Sequence, residues 1–380
     1  MTRLDYSTQC IEEDDIAGVV EVLKSPFLTQ GKKVEEFEKA LCDYTGVKYA
    51  IALNSATSAL FAAYLACAIK KDDEIITSPI SFVATSNMFV ALGAKPVWCD
   101  VKQDGNIDEN EIEKLITSKT KAIAVVDFAG KPVEMATINA IAKKHNLLVI
   151  DDASHALGSS INSKKVGSFA DMTIFSFHAI KPITTSEGGA VLTDNDEYAK
   201  QIRLIRSHGM VKKELWNSDM VSLGHNFRMT EVAASLGFTQ MKKLDTFIKK
   251  RNIIAAYYDE RFKNEALFLT QNIPHANISS RHLYPILLSL ELHANKEDIF
   301  KELLACGIGV QVHYKPIYQN SFYQEKFGEF SLPMAENFYR SEISIPCHQQ
   351  MSLTDATFVA DTLVQIVQKY AHKVSTCQEN

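Results

Sequence analysis

Residues 121–152, KAIAVVDFAGKPVEMATINAIAKKHNLLVIDD, contain an apolar strand, a helix and a second apolar strand in immediate succession. Both strand segments are almost continuously apolar, which is typical of strands buried on both faces of a parallel sheet. The segment between them has its apolar residues at helical spacing. The stretch therefore predicts two parallel strands joined by a crossover helix, the repeating unit of an α/β fold.

The same alternation extends from about residue 34 to 245. A helical segment, VEEFEKALCDYT, ends at Gly46, and apolar strands alternate with helices after it. The predicted strands include YAIALN, DEIITSP, PVWCDV, MTIFSF and GGAVLTD, and the predicted helices include SATSALFAAYLACAI and FVATSNMFVALG. These segments predict a large α/β domain with a mostly parallel, mixed sheet covered by helices on both faces, and with ligands at the carboxyl ends of the strands.

The pattern changes after the last of these strands. Residues 229–262 predict a long helix that bends or breaks near Gly237. Beyond it, the strand segments HLYPILLSL, GVQVHY and ISIP mix with the helical segments KEDIFKELLACG and TDATFVADTLVQIVQKY. We expect a large domain over residues 1–246, with an N-terminal arm (1–33) near the substrate site, and a smaller C-terminal α+β domain over 247–380.

The composition restricts the class of protein. The 380-residue chain is 46% hydrophobic and 23% charged, which suits a globular protein with a sizeable core. Its net charge of -6 and its lack of basic runs argue against nucleic acid or an anionic membrane surface as a partner. Seven scattered cysteines without a C-x-x-C pair predict neither disulfides nor a metal site, and indicate a reducing cytoplasm. No apolar run is long enough to predict a membrane span.

Lys181 lies in a short polar loop between the apolar strands MTIFSF and GGAVLTD. Pro182 follows it and favours an extended, stiff backbone at this position. A lysine that is held in such a loop with a lowered pKa could form an imine with a carbonyl group. An ordinary solvent-exposed loop lysine is the alternative.

Three other segments carry side chains suited to a planar cofactor with a phosphate group. Asp152 ends the strand NLLVIDD, where it could pair with a protonated pyridine nitrogen or cap a helix. The segment NSATSAL begins an Ala-rich helix with hydroxyl groups at Ser55, Thr57 and Ser58, which predicts either a phosphate site or a plain helix cap. Phe82 follows the strand DEIITSP, where its ring could stack on a cofactor or belong to the core.

Together these residues meet the requirements of one cofactor. An imine-forming lysine, an acid for a ring nitrogen, a phosphate site and a stacking aromatic are what pyridoxal phosphate needs. The chain has no G-x-G-x-x-G, P-loop, H-E-x-x-H or G-x-S-x-G motif that would indicate different chemistry. The residues alone therefore predict a pyridoxal-phosphate enzyme.

The chain also resembles the DegT/DnrJ/EryC1 family of sugar aminotransferases along almost its whole length. The segments that carry the resemblance occur in the family's order: PFLTQGKKVEEFEKAL, NSATSAL, SPISFVATSN, IDDASHALG, FSFHAIKPITTSEGGAV, GHNFRMTEVAASLG and QVHYKPIY. The resemblance implies the aspartate aminotransferase (type I) fold. It also implies pyridoxal 5′-phosphate, with pyridoxamine phosphate as its amino form, and a homodimer with shared active sites.

The resemblance implies roles for matched positions. Lys181 would form the Schiff base with the cofactor, Asp152 would pair with the pyridine nitrogen, and Phe82 would stack on the ring. The other implied cofactor contacts are Ser55, Ala56, Thr57, Ser58, His155, Ser176 and, across a dimer interface, Asn226. The implied sugar and nucleotide site consists of Tyr6, Pro26, Phe27, Leu28, Thr29, Ser55, Ser176, Asn226, Gln311, Val312, His313 and Tyr314. His155 stands where glutamine is common in the family, and Ser186 stands where glycine is frequent.

Within the family, the resemblance is to members that act in pseudaminic acid biosynthesis. It implies transfer of an amino group from L-glutamate, which becomes 2-oxoglutarate, to the C4 ketone of UDP-2-acetamido-2,6-dideoxy-β-L-arabino-hex-4-ulose. The alternatives are another nucleotide-linked 4-keto-6-deoxy sugar, such as the α-D-xylo epimer, and a non-catalytic sugar-binding or regulatory relative. A dehydratase of this family would carry another residue, usually histidine, in place of Lys181.

Overall fold

The computed structural model describes residues 3–378, and for 374–378 it describes the backbone alone. The helices are α1 Glu13–Leu23, α2 Lys32–Thr45, α3 Ala56–Ala66, α4 Ala84–Ala91, α5 Glu109–Ile112, α6 Met135–His145, α7 Asp196–Arg206, α8 Glu231–Met241, α9 Leu244–Phe262, α10 Lys296–Ala305, α11 Ser321–Phe327, α12 Pro333–Ser341 and α13 Leu353–Gln378. The strands are β1 Tyr49–Leu53, β2 Glu74–Thr77, β3 Lys95–Trp98, β4 Thr120–Val126, β5 Leu148–Asp152, β6 Ser160–Ile161, β7 Lys164–Lys165, β8 Met172–Ser176, β9 Gly189–Thr193, β10 Met210–Lys212, β11 Ser218–Met220, β12 Phe268–Thr270, β13 Asn277–Ile278, β14 Tyr284–Leu288 and β15 Glu342–Ile345. Within residues 3–378, no helix has the length and apolar character needed to cross a membrane.

A seven-stranded sheet in the order β1-β9-β8-β5-β4-β2-β3 forms the centre of the larger part of the molecule. Every neighbouring pair from β8 to β3 is parallel, whereas β9 is antiparallel to both β8 and β1. Six strands therefore run in one direction and β9 opposes them. This confirms the predicted α/β fold with a mostly parallel, mixed sheet, and β4, α6 and β5 form the crossover unit predicted from residues 121–152.

Helices cover both faces of this sheet, as the apolar strands predict. In β1, Ile51 and Leu53 pack in a cluster with α3, α4 and α7. The alternate residues of the same strand, Ala50 and Ala52, pack in another cluster with α2 and α8. Because successive side chains of a strand point to opposite faces, the two clusters lie on opposite sides of the sheet.

A separate apolar core lies in the C-terminal part, where β12, β14 and β15 form an antiparallel sheet against α9, α10 and α13. Helix α9 belongs to both parts. Its first half contributes Phe247 and Ile248 to the core around α2 and α8, and its second half contributes Ile254 and Tyr258 to the C-terminal core. We propose that the two domains join in this helix, which contains the predicted boundary at residue 247.

Two predictions about secondary structure are wrong. The long helix is divided at residues 242–243 into α8 and α9, whereas Gly237 lies inside α8. A Cβ atom on Gly237 would lie 2.8 Å from the Phe37 ring, so this glycine permits close packing against α2 and does not break the helix. Residues 309–314 (GVQVHY) form a loop with one bridge, between Gln311 and Ser344, in place of the predicted strand.

Candidate active site

A cavity of about 630 Å³ lies at the carboxyl edge of the central sheet. The segments that follow β1, β2, β5 and β8 supply most of its wall, and the loop at 311–314 closes it from the C-terminal part. The lining residues are Tyr6, Ser55, Ala56, Thr57, Leu60, Ser81, Phe82, Ala84, Val126, Asp152, Ser154, His155, Ser176, His178, Ile180, Lys181, Glu187, His282, Gln311, Val312, His313 and Tyr314. The structure therefore brings most of the predicted site residues into one cavity.

Lys181 lies in the loop between β8 and β9 and lines the cavity. Its Nζ atom is 3.3 Å from Nε2 of His282, within hydrogen-bonding distance. Burial lowers the pKa of Lys181 to about 7, although the charge of Asp152 opposes this shift; the charge of Arg251 lowers the pKa further. The structure thus favours the reactive lysine over the exposed loop lysine, because a large share of the amine is neutral near pH 7.

The Asp152 carboxylate is fixed at the end of β5 by hydroxyl donors. Thr85 Oγ1 donates to its Oδ2 atom at 2.5 Å, and Ser154 Oγ donates to its Oδ1 atom at 2.5 Å. If Asp152 were a helix cap, a helix would follow β5. The residues after β5 form turns, so Asp152 does not cap a helix. Its carboxylate lines the cavity with its orientation already set.

The start of α3 forms one end of the cavity. Ser55 is the N-cap, and its Oγ accepts a hydrogen bond from the Ser58 N–H at 3.1 Å. Ala56 and Thr57 occupy the first turn, where N–H groups have no partner within the helix. A Cβ on Gly189 would lie 2.5 Å from the Ala56 nitrogen, so this glycine lets β9 pass against the helix start. The segment is therefore a helix cap, and its free N–H groups suit an anion.

His155 is a hydrogen-bond donor towards the cavity. The Ala129 N–H donates to its Nδ1 atom at 3.3 Å, so the proton of the neutral ring lies on Nε2. Burial lowers the pKa of His155 well below its usual value, which keeps the ring neutral. Its Nε2 atom is 3.3 Å from the Tyr314 hydroxyl. An N–H donor at this position can replace the amide N–H of the glutamine that is common in the family.

The remaining aromatic residues form the outer wall. Phe82 is 59% exposed, which contradicts its assignment to the core, and its ring centroid is 6.4 Å from that of Tyr314. Tyr6 lines the cavity, and Leu4, two residues earlier, forms backbone hydrogen bonds with Gly307 and Gly309. These contacts hold the start of the N-terminal arm against the C-terminal part.

Six predicted site residues lie outside this cavity. Ser58 is buried and does not line the cavity, and its hydroxyl donates to Asn54 Oδ1 at 2.6 Å. The segment 26–29 lies against the start of α8, where Leu28 accepts a hydrogen bond from the Glu231 N–H. The residues of that segment and Asn226 are exposed: Pro26, Phe27, Leu28, Thr29 and Asn226. Within one chain, these five residues do not contribute to the cavity.

The sequence did not single out His282, which is buried beside Lys181. Its carbonyl oxygen accepts a hydrogen bond from Nη1 of Arg251 at 3.3 Å, and that guanidinium is itself fully buried. His282 is the first residue of the predicted strand HLYPILLSL, and a histidine at a strand end was the one signal for it. The other lining residues that were not predicted are Leu60, Ser81, Ala84, Val126, Ser154, His178, Ile180 and Glu187.

The residues of the cavity fit pyridoxal phosphate. A half-buried lysine with a lowered pKa, an oriented carboxylate and an exposed aromatic ring surround one space. The helix start at Ala56 and the Ser176 hydroxyl at the end of β8 suit a phosphate group. Among residues 3–373, whose side chains are described, no group of three His, Cys, Asp or Glu side chains could hold a metal ion.

Comparisons with known proteins agree with this site. The model of the DegT/DnrJ/EryC1/StrS aminotransferase family matches residues 9–364. A Campylobacter jejuni protein named UDP-4-amino-4,6-dideoxy-N-acetyl-β-L-altrosamine transaminase is 54% identical over 369 residues, which cover 96% of this chain and 98% of the relative.

Solved structures give the same result. A Helicobacter pylori aminotransferase described as acting in the biosynthesis of pseudoaminic acid is 46% identical, with a TM-score of 0.95 over 97% of this chain and 100% of its own. A putative sugar aminotransferase from Streptococcus pneumoniae, solved in its PLP form, is 29% identical, with a TM-score of 0.92 over 97% of this chain and 99% of its own.

The family match and these structures confirm three predictions from the sequence: the type I aminotransferase fold, the aminotransferase class and dependence on pyridoxal phosphate. The family match extends over nearly the whole chain and includes every residue that lines the cavity except Tyr6. The chain belongs to the DegT/DnrJ/EryC1/StrS aminotransferase family.

Proposed function

We propose that this chain transfers the amino group of L-glutamate to the C4 ketone of UDP-2-acetamido-2,6-dideoxy-β-L-arabino-hex-4-ulose. The products would be 2-oxoglutarate and UDP-4-amino-4,6-dideoxy-N-acetyl-β-L-altrosamine. The names of three relatives that are 46–54% identical over nearly the whole chain support this substrate. The observation that carries the reaction class is the half-buried Lys181 amine, with its lowered pKa, in the same cavity as the oriented Asp152 carboxylate.

Side chains that line the cavity would hold the cofactor. Asp152 would hold a proton on the pyridine nitrogen, His155 would donate to the ring hydroxyl, and Phe82 would cover one face. Ser55, the N–H groups of Ala56 and Thr57, and the Ser176 hydroxyl would hold the phosphate. When bound, pyridoxal phosphate supplies an electron-withdrawing ring that stabilises negative charge on the carbon losing its proton.

Lys181 would move the proton in both halves of the reaction. Its pKa of about 7 allows Nζ to act as a base and as an acid near neutral pH. It would take the proton from Cα of glutamate in the first half and deliver a proton to C4 of the sugar in the second half. His282 would orient Nζ through the 3.3 Å contact.

We also propose a homodimer in which each subunit completes the site of the other. Asn226 and the segment 26–29 are exposed and lie outside the cavity of their own chain. The β10–β11 hairpin carries Leu215 and Trp216, both more than 80% exposed, and contiguous apolar surface of this kind marks interfaces.

We expect sedimentation to show a dimer for the wild type and a monomer with weakened cofactor binding for Trp216→Glu. A wild-type monomer with full activity would exclude the dimer. We also propose that the protein is located in the cytoplasm.

The substrate is tested by a mass-spectrometric turnover assay with glutamate and two UDP-linked 4-keto-6-deoxy sugars, the β-L-arabino and α-D-xylo epimers. We expect amination of the β-L-arabino compound and none with the Lys181→Ala control. A preference for the α-D-xylo epimer would overturn the proposed substrate and leave the reaction class in place. If neither epimer gives a product, a UDP-linked 4-keto-6-deoxy HexNAc is not the substrate.

A further inference from the structure

A hydrogen-bonded group of three residues lies behind the cavity wall that is formed by residues 311–314. Glu342 and Ser344 belong to β15 and are fully buried, and His313 is 5% exposed. Ser344 Oγ donates to Glu342 Oε1 at 2.6 Å and is 2.8 Å from Nδ1 of His313. The backbone N–H of His313 donates to the second oxygen, Oε2, of the same carboxylate at 2.7 Å.

The direction of these hydrogen bonds determines which nitrogen of His313 carries the proton. A serine hydroxyl has one hydrogen, and Ser344 donates it to Glu342. Its oxygen must therefore accept from His313, which requires the proton on Nδ1. Because burial lowers the pKa of His313 to about 3, the ring is neutral and its Nε2 atom keeps a free lone pair.

The Glu342 carboxylate must be ionised for Ser344 to donate its hydrogen to it. Burial raises the pKa of Glu342 to about 7, and the hydrogen bonds from Ser344 and His313 and the charge of Lys296 oppose this rise. At pH 8 the carboxylate is therefore mostly ionised and accepts both hydrogen bonds. Burial lowers the pKa of Lys296 to about 8, and the charge of Glu342 opposes this shift; the Lys296 amine donates a hydrogen bond to the Tyr339 carbonyl.

His313 lines the cavity between the aromatic rings of Tyr6 and Tyr314, whose centroids lie 5.6 Å and 4.8 Å from its own. Within the described part of the chain, no residue donates a hydrogen bond to its Nε2 atom. A keto sugar of the proposed kind brings hydroxyl and acetamido N–H donors into this space, whereas the α-carboxylate of glutamate brings none.

We propose that Nε2 of His313 accepts a hydrogen bond from a hydroxyl or acetamido N–H of the sugar substrate, and that Ser344 and Glu342 are positioning residues that hold His313 in this form. This proposal rests on the nucleotide-sugar substrate proposed above. It assigns a role to two residues of β15 that do not line the cavity.

The test compares the two half-reactions of Ser344→Ala at pH 8 by following the cofactor spectrum. We expect kcat/KM for the keto sugar to fall about three- to tenfold, the effect of one lost hydrogen bond. The glutamate half-reaction should change by less than twofold. Ser341→Ala is the matched control, since Ser341 is also buried and its hydroxyl bonds to the Phe338 carbonyl outside this group.

A second measurement separates positioning from general damage. In a His313→Ala background, Ser344→Ala should cause no further loss with the sugar, because Ser344 acts through His313. Equal losses in both half-reactions, or an additive loss in the double variant, would overturn the proposal. A wild type that aminates no nucleotide sugar would instead refute the proposed function, so the two failures are distinguishable.

Discussion

Nζ of Lys181 lies 3.3 Å from Nε2 of His282, a residue 101 positions later in the chain. The His282 ring is buried, and its carbonyl is held by the guanidinium of Arg251. The Lys181 amine thus contacts a side chain from the C-terminal part, whereas its own loop belongs to the central sheet. Both parts of the molecule are needed to position one nitrogen atom.

Replacing His282 should slow proton transfer without releasing the cofactor. We expect His282→Phe, which preserves bulk and removes the hydrogen bond, to lower kcat about three- to tenfold. Visible absorbance of the bound cofactor should persist. His348→Phe is the control, because His348 is equally buried and does not line the cavity. The same loss in both variants would show that the effect is structural.

The lowered pKa of Lys181 predicts unusual reactivity in the enzyme without cofactor. The neutral amine is the reactive form, so labelling by trinitrobenzenesulfonate should increase as pH rises through the pKa of about 7. Mass spectrometry of the peptide that contains Lys181 gives the rate at each pH. In the denatured protein, the same lysine should react with a midpoint of about 10.4. A midpoint near 10 in the folded protein would contradict the burial argument.

The sequence predicted those parts of the fold and site that depend on local patterns. Apolar strands such as 121–128 and 146–152 identified the parallel sheet, and residues at strand ends, such as Asp152, lie at its carboxyl edge as expected. Lys181 was found because its loop lies between two such strands. These features depend on residues near each other in the chain.

Long-range pairs were not predictable in the same way. His282 approaches Lys181, and Thr85 binds Asp152 over 67 positions, through folding of separate segments. Gly237 was misread because a glycine that permits close helix packing has the same sequence signal as one that breaks a helix. The segment 309–314 has a strand pattern, yet the Glu342 side chain binds the N–H of His313 in place of a neighbouring strand.

Replacing Asp152 with asparagine should slow the reaction far more than the same replacement at its neighbour Asp151. We expect Asp152→Asn to slow the glutamate half-reaction about 100-fold, since a fixed charge at the ring nitrogen is lost. Asp151→Asn is the matched control, because Asp151 is fully buried, adjoins Asp152 in β5 and does not line the cavity; burial raises its pKa well above its usual value. Stopped-flow absorbance measures both variants. An equal effect of the two substitutions would contradict the assignment.

Ser186 has a backbone φ of +70°, a conformation that favours glycine and agrees with the glycine common at this position in the family. We expect Ser186→Gly to raise the free energy of unfolding by about 1 kcal/mol. Ser118→Gly is the control, because Ser118 is also exposed and has no positive φ; there glycine should lower stability. Thermal denaturation of both variants tests the difference, and a lower Tm for Ser186→Gly would contradict it.

The central claim is that Lys181 is the residue that bonds the cofactor in this cavity. Borohydride reduction of the purified enzyme after loading with pyridoxal phosphate, followed by peptide mass spectrometry, tests it most directly. The account predicts that reduction attaches the cofactor covalently to the peptide that contains Lys181. In Lys181→Ala, reduction should attach no cofactor to the protein. A cofactor fixed to another lysine, or to Lys181→Ala at the same level as to the wild type, would contradict the account.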